Sequence, residues 1–228
     1  MTVAQFGPRK NLQNTIKWFV EEFRDEDVGL VVKSNLAKNC YMDRIKLYDQ
    51  LRQFIAQQGE HQCKIYLLHG FLTDEEMAGL YSNPKVKALV STTHGEGFGL
   101  PLFEAAYYGL PVIATDWSGH KDFLYKKQKQ KNGKVKTKHM FNRISYNLAP
   151  IQKEAVWEGV LPEQSSWAYP EEGSIKMNLE EVYKDHGRFK KRAKELKTWI
   201  CSEFSEDKIY EQIVDLIGED QDLDIVII

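Results

Sequence analysis

From residue 3 to residue 115 the chain switches again and again between short apolar runs and amphipathic stretches at helical spacing, and few folds fit that rhythm. Val3–Phe6, Val28–Val32, Ile65–Leu68, Val86–Ser91 and Pro111–Thr115 read as strands. Continuous apolar runs such as Val28–Val32 mark strands covered on both faces of a parallel sheet. Between them, Leu12, Ile16, Phe19, Val20 and Phe23 share one helical face, as do Ile45, Tyr48, Leu51 and Ile55, with Gly59 placed to end the second helix. Thr73 followed by Glu76 fits a capping box opening a helix through Leu80. Pro101–Tyr108 reads as a fourth helix, with Pro101 at its first position and Gly109 just past its end. Five strands alternating with four helices predict a single Rossmann-like, doubly wound parallel sheet.

Composition sets the class around that sheet. At 228 residues the chain has room for one α/β domain and a helical extension. A net charge of -2 argues against a general nucleic-acid binder. No apolar run approaches the ~18 residues of a membrane span, and the first residues lack the layout of a signal peptide. Cys40, Cys63 and Cys201, scattered and odd in number, read as reduced, buried thiols of a cytoplasmic protein.

After Trp117 the rhythm breaks. Lys126–Lys138 holds seven lysines and no acid, and Asn132-Gly133 suits the tight turn of a basic hairpin. Such a run reads first as a solvated surface, and docking to an anionic membrane or acceptor lipid is its functional alternative. From Ser174 the pattern is helical. Phe189, Ala193, Leu196, Ile200 and Phe204 form one stripe, Ser205 is an N-cap, and Ile209, Ile213 and Ile217 form a second stripe. The apolar tail Ile225–Ile228 suggests a surface that packs on a partner. The expected organisation is a domain over 1–173, divergent over 124–170, then a helical extension over 174–228.

The densest chemical signal is His94-Gly95-Glu96-Gly97-Phe98-Gly99-Leu100-Pro101-Leu102-Phe103-Glu104-Ala105. A glycine-rich loop after a strand and before a helix N-terminus lets backbone N–H groups approach an anion, at the sheet edge where ligands bind. Carboxylates gain nothing from phosphate but accept hydrogen bonds from sugar hydroxyls. Glu96 and Glu104 therefore point to a ligand carrying both. The glycine spacing is not that of a dehydrogenase, and an acidic residue after the second strand is missing too. His94 and Trp117 read as packed residues, as do Phe103, Tyr107 and Tyr108. His61, His69 and His94 have no neighbouring carboxylate at ligand spacing, so no metal is expected.

Glu96 and Glu104, with seven residues between them within Glu-Gly-Phe-Gly-Leu-Pro…Glu-Ala, resemble the Glu-x7-Glu motif of retaining GT-B glycosyltransferases of group 1, family 4. The likeness is to their carboxyl-terminal, donor-binding domain, and it continues through Tyr108–Thr115 and Trp117-Ser118-Gly119. Phe6-Gly7-Pro8-Arg9-Lys10-Asn11 resembles the family's first loop, and Gly70–Glu76 its approach to the fourth strand. The resemblance covers Val3 to about Phe123. It implies half of a GT-B fold and a UDP-, GDP- or ADP-sugar donor, with sugar transfer proceeding with retention and no cofactor or metal. By the same resemblance Glu104 holds the ribose, Glu96 lies against the donor hexose, and the backbone of Gly97, Phe98, Gly99 and Leu100 holds hexose and diphosphate. Lys10 neutralises the leaving diphosphate, making Glu96 and Lys10 the catalytic pair, and Gly70 and Phe71 hold the base. Where the family has Arg five residues before the Lys, this chain has Gln5, so Arg9 and Lys33 are candidate substitutes. The family's acceptor domain precedes the donor domain, and the first strand here begins at residue 3. The expectation is therefore a donor-binding half that works with an acceptor-domain partner or a second copy. Its alternative is a non-catalytic nucleotide-sugar-binding module.

Overall fold

The computed structural model describes residues 1–130 and 133–218. Its elements run β1 (Thr2–Val3), α1 (Leu12–Glu22), β2 (Gly29–Lys33), α2 (Tyr41–Ala56), β3 (Lys64–Leu68), α3 (Asp74–Ser82), β4 (Leu89–Ser91), α4 (Leu100–Tyr107) and β5 (Val112–Thr115). A short α5 (Lys121–Leu124) leads into β6 (Tyr125–Lys129), β7 (Val135–His139), β8 (Asn142–Ile144), β9 (Tyr146–Pro150) and β10 (Ser166–Pro170). Three helices close the described chain: α6 (Glu172–Lys184), α7 (His186–Glu203) and α8 (Glu206–Gly218).

The first five strands pair as the apolar runs predict, all in parallel. β1 lies beside β2 and β2 beside β3, while β4 lies beside β5. A sixth strand, β8, extends the sheet in parallel beyond β5. The two halves join where Val90 N–H donates to the Met1 carbonyl at 2.8 Å and the Met1 amine to Ala88 O at 2.7 Å. The strand order is therefore β3-β2-β1-β4-β5-β8. Its direction of travel reverses between β1 and β4, and at such a switch point the loops leaving neighbouring strands diverge and open a crevice.

Side-chain alternation sends the two faces of the sheet into two cores. Leu30, Val32, Val90, Ile113 and Ile144 pack against α1, α2 and α6 through Ile16, Phe19, Leu47, Ile175 and Leu179. Leu89, Val112 and Ala114 face the other way, onto Leu102, Ala105 and Ala106 of α4. Helix α7 serves both: Phe189 joins the first core, and Leu196 and Ile200 the second. Its predicted stripe is thus real, and Phe204 is its half-buried end.

Most local signals hold with small shifts, but β1 covers Thr2–Val3 rather than Val3–Phe6, and α2 buries Asp43, Leu47 and Leu51 while Tyr48 is exposed. Thr73 and Glu76 form the reciprocal capping box. Gly99, at φ 90°, caps α4, so Pro101 is its second residue rather than its first. Gly109 follows the helix in the left-handed region that glycine tolerates. Helix α6 starts at Glu172, two residues before Ser174. Ser205 accepts from Lys208 N–H at 3.4 Å as the predicted cap of α8. The basic run forms the antiparallel β6–β7 hairpin; Asn132 of its expected turn lies outside the described residues, as does the tail 225–228. Cys63 is buried, but Cys40 and Cys201 are exposed, correcting the reading of three buried thiols. Each precedes or sits on an amphipathic helix at a solvent-facing position, which residue type alone does not reveal.

Candidate functional site

Two loops meet at the switch point. The first leaves β1, turns through a short 3-10 helix at Pro8–Lys10, and enters α1 through Asn11 at φ 52°. That left-handed residue is anchored: its side-chain amide donates to Thr92 O at 3.2 Å, and Thr15 and Thr92 hydroxyls bond at 2.6 Å. The second loop, from Thr92 to Gly99, leaves β4. Arg9 O accepts from His94 N–H at 2.9 Å, tying the two together.

The anchor sets the charges. Lys10 Nζ lies 2.6 Å from Glu96 Oε1, and Arg9 Nη1 lies 3.3 Å from Glu96 Oε2 and 2.5 Å from Gly95 O. Burial alone would raise the Glu96 carboxyl, but the Lys10 ammonium, with Arg9 and Thr93, outweighs it and holds the group below the ordinary glutamate value. Glu96 is therefore an anion clamped between two cations.

A third loop fixes the glycine-rich one from behind. Ser118 Oγ accepts from Glu96 N–H at 2.7 Å, and Gly119 N–H donates to Glu96 O at 3.1 Å. A Cβ on Gly119 would stand 1.8 Å from Gly97 O, so only glycine fits. His120, fully buried, packs under Gly99 and bonds Thr115 O at 2.7 Å.

Beside these loops lies a cleft of about 410 Å³, lined by Gln5, Lys10, Lys33, Ser34, Gly70, Phe71 and Pro101 among others. It brings together the sequence-predicted Lys10, Lys33, Gly70 and Phe71. Lys33 Nζ donates to Gly70 O at 2.5 Å, and burial lowers its basicity. Phe71, 77% exposed, offers an open ring at the mouth. Gln5, standing where a cation was expected, donates to Leu36 O at 2.6 Å and fixes the loop after β2 instead. Arg9, Glu96, Gly97, Phe98, Gly99, Leu100 and Glu104 do not line this cleft; Glu96 reaches it only through its contact with Lys10. Phe98 leans on Phe103 and Phe123, and Leu100 is exposed at the start of α4.

Glu104 lies one turn beyond Pro101, with Oε2 accepting from Tyr81 OH at 2.8 Å. Burial, that bond and the carboxylate charge push the Tyr81 phenol far above its usual range, so the donor stays protonated. Oε1 makes no hydrogen bond among the described residues.

Several contributors carry no signal in the sequence. Tyr81, 23 residues from Glu104, carries no motif. Ser34 has a buried hydroxyl without a protein partner. His69 is not isolated: its Nε2 lies 2.8 Å from Asp43 Oδ2, and Asp43 also accepts from the N–H groups of Leu36, Ala37 and Lys38. This pair pins the loop after β2 to the loop carrying Gly70. His94, read as structural, is buried, with Nδ1 on Ala168 O at 2.7 Å and Trp167 stacked at 5.1 Å. Trp117 packs on Tyr146 at 5.4 Å.

A doubly wound sheet with basic and glycine-rich loops converging at its switch point defines a Rossmann-like α/β domain. The chain belongs to the family of glycosyl transferases group 1, whose pattern it matches over residues 1–142. It is 32% identical over 117 residues to the serotype-specific mannosyltransferase WbdA of Escherichia coli, covering 50% of this chain and 13% of that protein. Its fold resembles Anabaena HepE in complex with UDP, at TM-score 0.62 and 15% identity, covering 96% of this chain and 48% of that one. It also resembles the C-terminal domain of the group 1 protein LpcC from Francisella tularensis, at TM-score 0.55 and 16% identity, over 90% of this chain and 85% of that domain. The fold is thus half of a GT-B architecture. The chain spans only a small part of the curated relatives it matches. Among the described residues no helix is long and apolar enough to cross a membrane.

Proposed function

We propose that this chain is the donor-binding half of a retaining glycosyltransferase that takes a sugar from a nucleotide-sugar and needs neither metal nor cofactor. The observation that carries the reading is the Lys10–Glu96 pair at 2.6 Å, which sets a cation and a hydrogen-bond acceptor side by side at the switch point. Lys10 and Lys33, both lining the cleft, supply positive charge for a diphosphate. Glu96, held ionised, accepts from hexose hydroxyls beside it. The backbone of Gly97–Leu100 adds donors at the N-terminus of α4, and Glu104 Oε1 is open to the ribose. Gly70 and Phe71 border the end of the cleft where the base stacks.

In this reading the acceptor hydroxyl attacks the anomeric carbon from the face the diphosphate leaves. The carbon–oxygen bond to the β-phosphate breaks, and the departing phosphate oxygen takes the hydroxyl proton. The protein's part is electrostatic: Lys10, in place beforehand, meets the charge that develops on the leaving diphosphate. The UDP held by HepE supports a nucleotide-sugar donor, and the mannosyltransferase relative supports a hexose. The acceptor comes from an acceptor-domain partner or a second copy. Thermal shift with UDP-, GDP- and ADP-sugars tests the reading: one donor class should raise Tm in wild type and fail to do so in Lys10→Ala.

A further inference from the structure

A second cavity, larger than the cleft at the switch point, lies elsewhere among the described residues. It measures about 930 Å³ and lies at the open edge of the sheet, between β8, α6 and α7. Its chemistry is cationic. Arg143 of β8, Arg188 and Arg192 of α7, and His139 at the end of β7 all face it. Arg188 and Arg192 are one helical turn apart and both lie over the Phe189 ring, their guanidinium carbons 4.5 and 5.1 Å from its centre. Two carboxylates share the cavity, and each is already engaged. Glu181 pairs with Arg188 at 3.2 Å, and Asp116 accepts from Tyr125 OH and pairs with Lys121 at 3.5 Å and Arg143 at 3.6 Å.

Arg192 is the exception. Half-buried, it makes no ion pair among the described residues, and its one hydrogen bond goes to the neutral Asn142 amide oxygen. A guanidinium withdrawn from water without a carboxylate is costly unless something anionic completes it. Its planar fork suits phosphate oxygens, which accept two parallel N–H bonds.

We propose that this cavity binds a phosphate group of a phosphorylated molecule, with Arg192 as principal ligand and Arg143 and Arg188 closing on it. The site is separate from the donor cleft and shares none of its residues. His139 reports on it. Its ring is pushed toward the neutral form by burial and by the charges of Arg143 and Arg192, with Lys138 adding to them and Asp116 opposing; Tyr125 packs against it at 6.4 Å. A phosphate that neutralises those guanidiniums removes the repulsion, so binding raises the pH at which His139 takes its proton. The phosphate has two sources, a soluble phosphorylated molecule or a lipid headgroup. The β6–β7 hairpin adjoins the cavity through His139, and the neighbouring Lys138 shares Glu195 with Lys126.

The experiment follows the His139 ring by NMR across pH, with and without pyrophosphate, in the full chain. The expected result is an upward move of the His139 midpoint in wild type and in Lys10→Ala. Arg192→Gln should weaken pyrophosphate binding read at His139 at least about tenfold, and Arg143→Gln should weaken it less. The second arm sediments the protein with phosphatidylcholine vesicles containing phosphatidic acid. Capture lost in Arg192→Gln, without a response to pyrophosphate, assigns the site to a lipid phosphate. If His139 ignores pyrophosphate and vesicle capture is absent or survives Arg192→Gln, the proposal is overturned. It is overturned too if the His139 response persists undiminished in both arginine variants.

Discussion

The sharpest consequence of the loop geometry concerns Gly119, set against Gly97. A methyl group on Gly119 would stand 1.8 Å from Gly97 O, 2.7 Å from Gly97 C and 3.1 Å from Glu96 O. All three are backbone atoms, so no rotamer change relieves the clash. To reach even 3.0 Å the two loops must part by about 1.2 Å. That movement breaks the Gly119 N–H to Glu96 O bond and drags Glu96 from Lys10. Overpacking of this kind costs up to ~3 kcal/mol, which for a chain of this size lowers Tm by about 6–12 °C. A Cβ on Gly97 meets nothing within 4 Å, so Gly97→Ala should leave stability within about 0.5 kcal/mol of wild type. Its methyl group would still intrude where a ligand meets the loop backbone. Scanning calorimetry with nucleotide titration separates the two. Gly119→Ala should lose both stability and at least about tenfold in affinity, whereas Gly97→Ala should lose affinity alone. Wild-type Tm in Gly119→Ala would refute the account of how the two loops are locked.

Four further outcomes follow from the same site. Glu104→Ala should weaken nucleotide binding by about 1.5–3 kcal/mol in a folded protein, whereas Tyr81→Phe, which removes only the supporting phenol, should cost much less affinity; calorimetric titration of both variants checks this. Lys10→Ala should weaken binding of a nucleoside diphosphate far more than of the nucleoside, and equal losses would place Lys10 away from the phosphates. Burial alone would raise the Asp43 carboxyl, but bonds from His69, Ala37, Leu36 and Lys38 hold it well below the usual range. A depressed folded value stabilises above the unfolded value and is lost as acid protonates the group. Stability should therefore fall below about pH 4, and Asp43→Asn should flatten that acid limb in denaturant titrations. The purified chain should bind donor yet turn over little acceptor by itself, and efficient transfer by a monomer would contradict the half-enzyme reading.

Much of this was legible because the relevant signals are local. The capping box at Thr73, the glycine stop at Gly109 and the apolar runs of β2 and β5 each depend on neighbours in the chain, and the structure keeps them within a residue or two. β8 escaped because Asn142-Arg143-Ile144 is too short and polar to show an apolar run; it is a strand because Ile144 packs into the first core and its backbone pairs with β5. Lys33 was legible only as a cation at a strand end. That it reaches Gly70 O depends on β2 and β3 lying side by side. The Asp43–His69 pair and the Tyr81–Glu104 bond join residues 26 and 23 apart, and no spacing rule connects them. The antiparallel pair β9–β10, which supplies Ala168 and Trp167 to His94, was hidden for the same reason.

The proposed function has a nucleotide-sugar held at the cleft of the switch point. Amide NMR of the labelled chain, titrated in turn with UDP-, GDP- and ADP-sugars, tests it directly. One donor class should produce saturable shifts concentrated at Lys10, Lys33, Gly70 and Phe71 of the cleft and at the adjoining loop Gly97–Leu100, fading toward β9 and α8. Saturable shifts centred elsewhere, or none with any of the three donors, would contradict it.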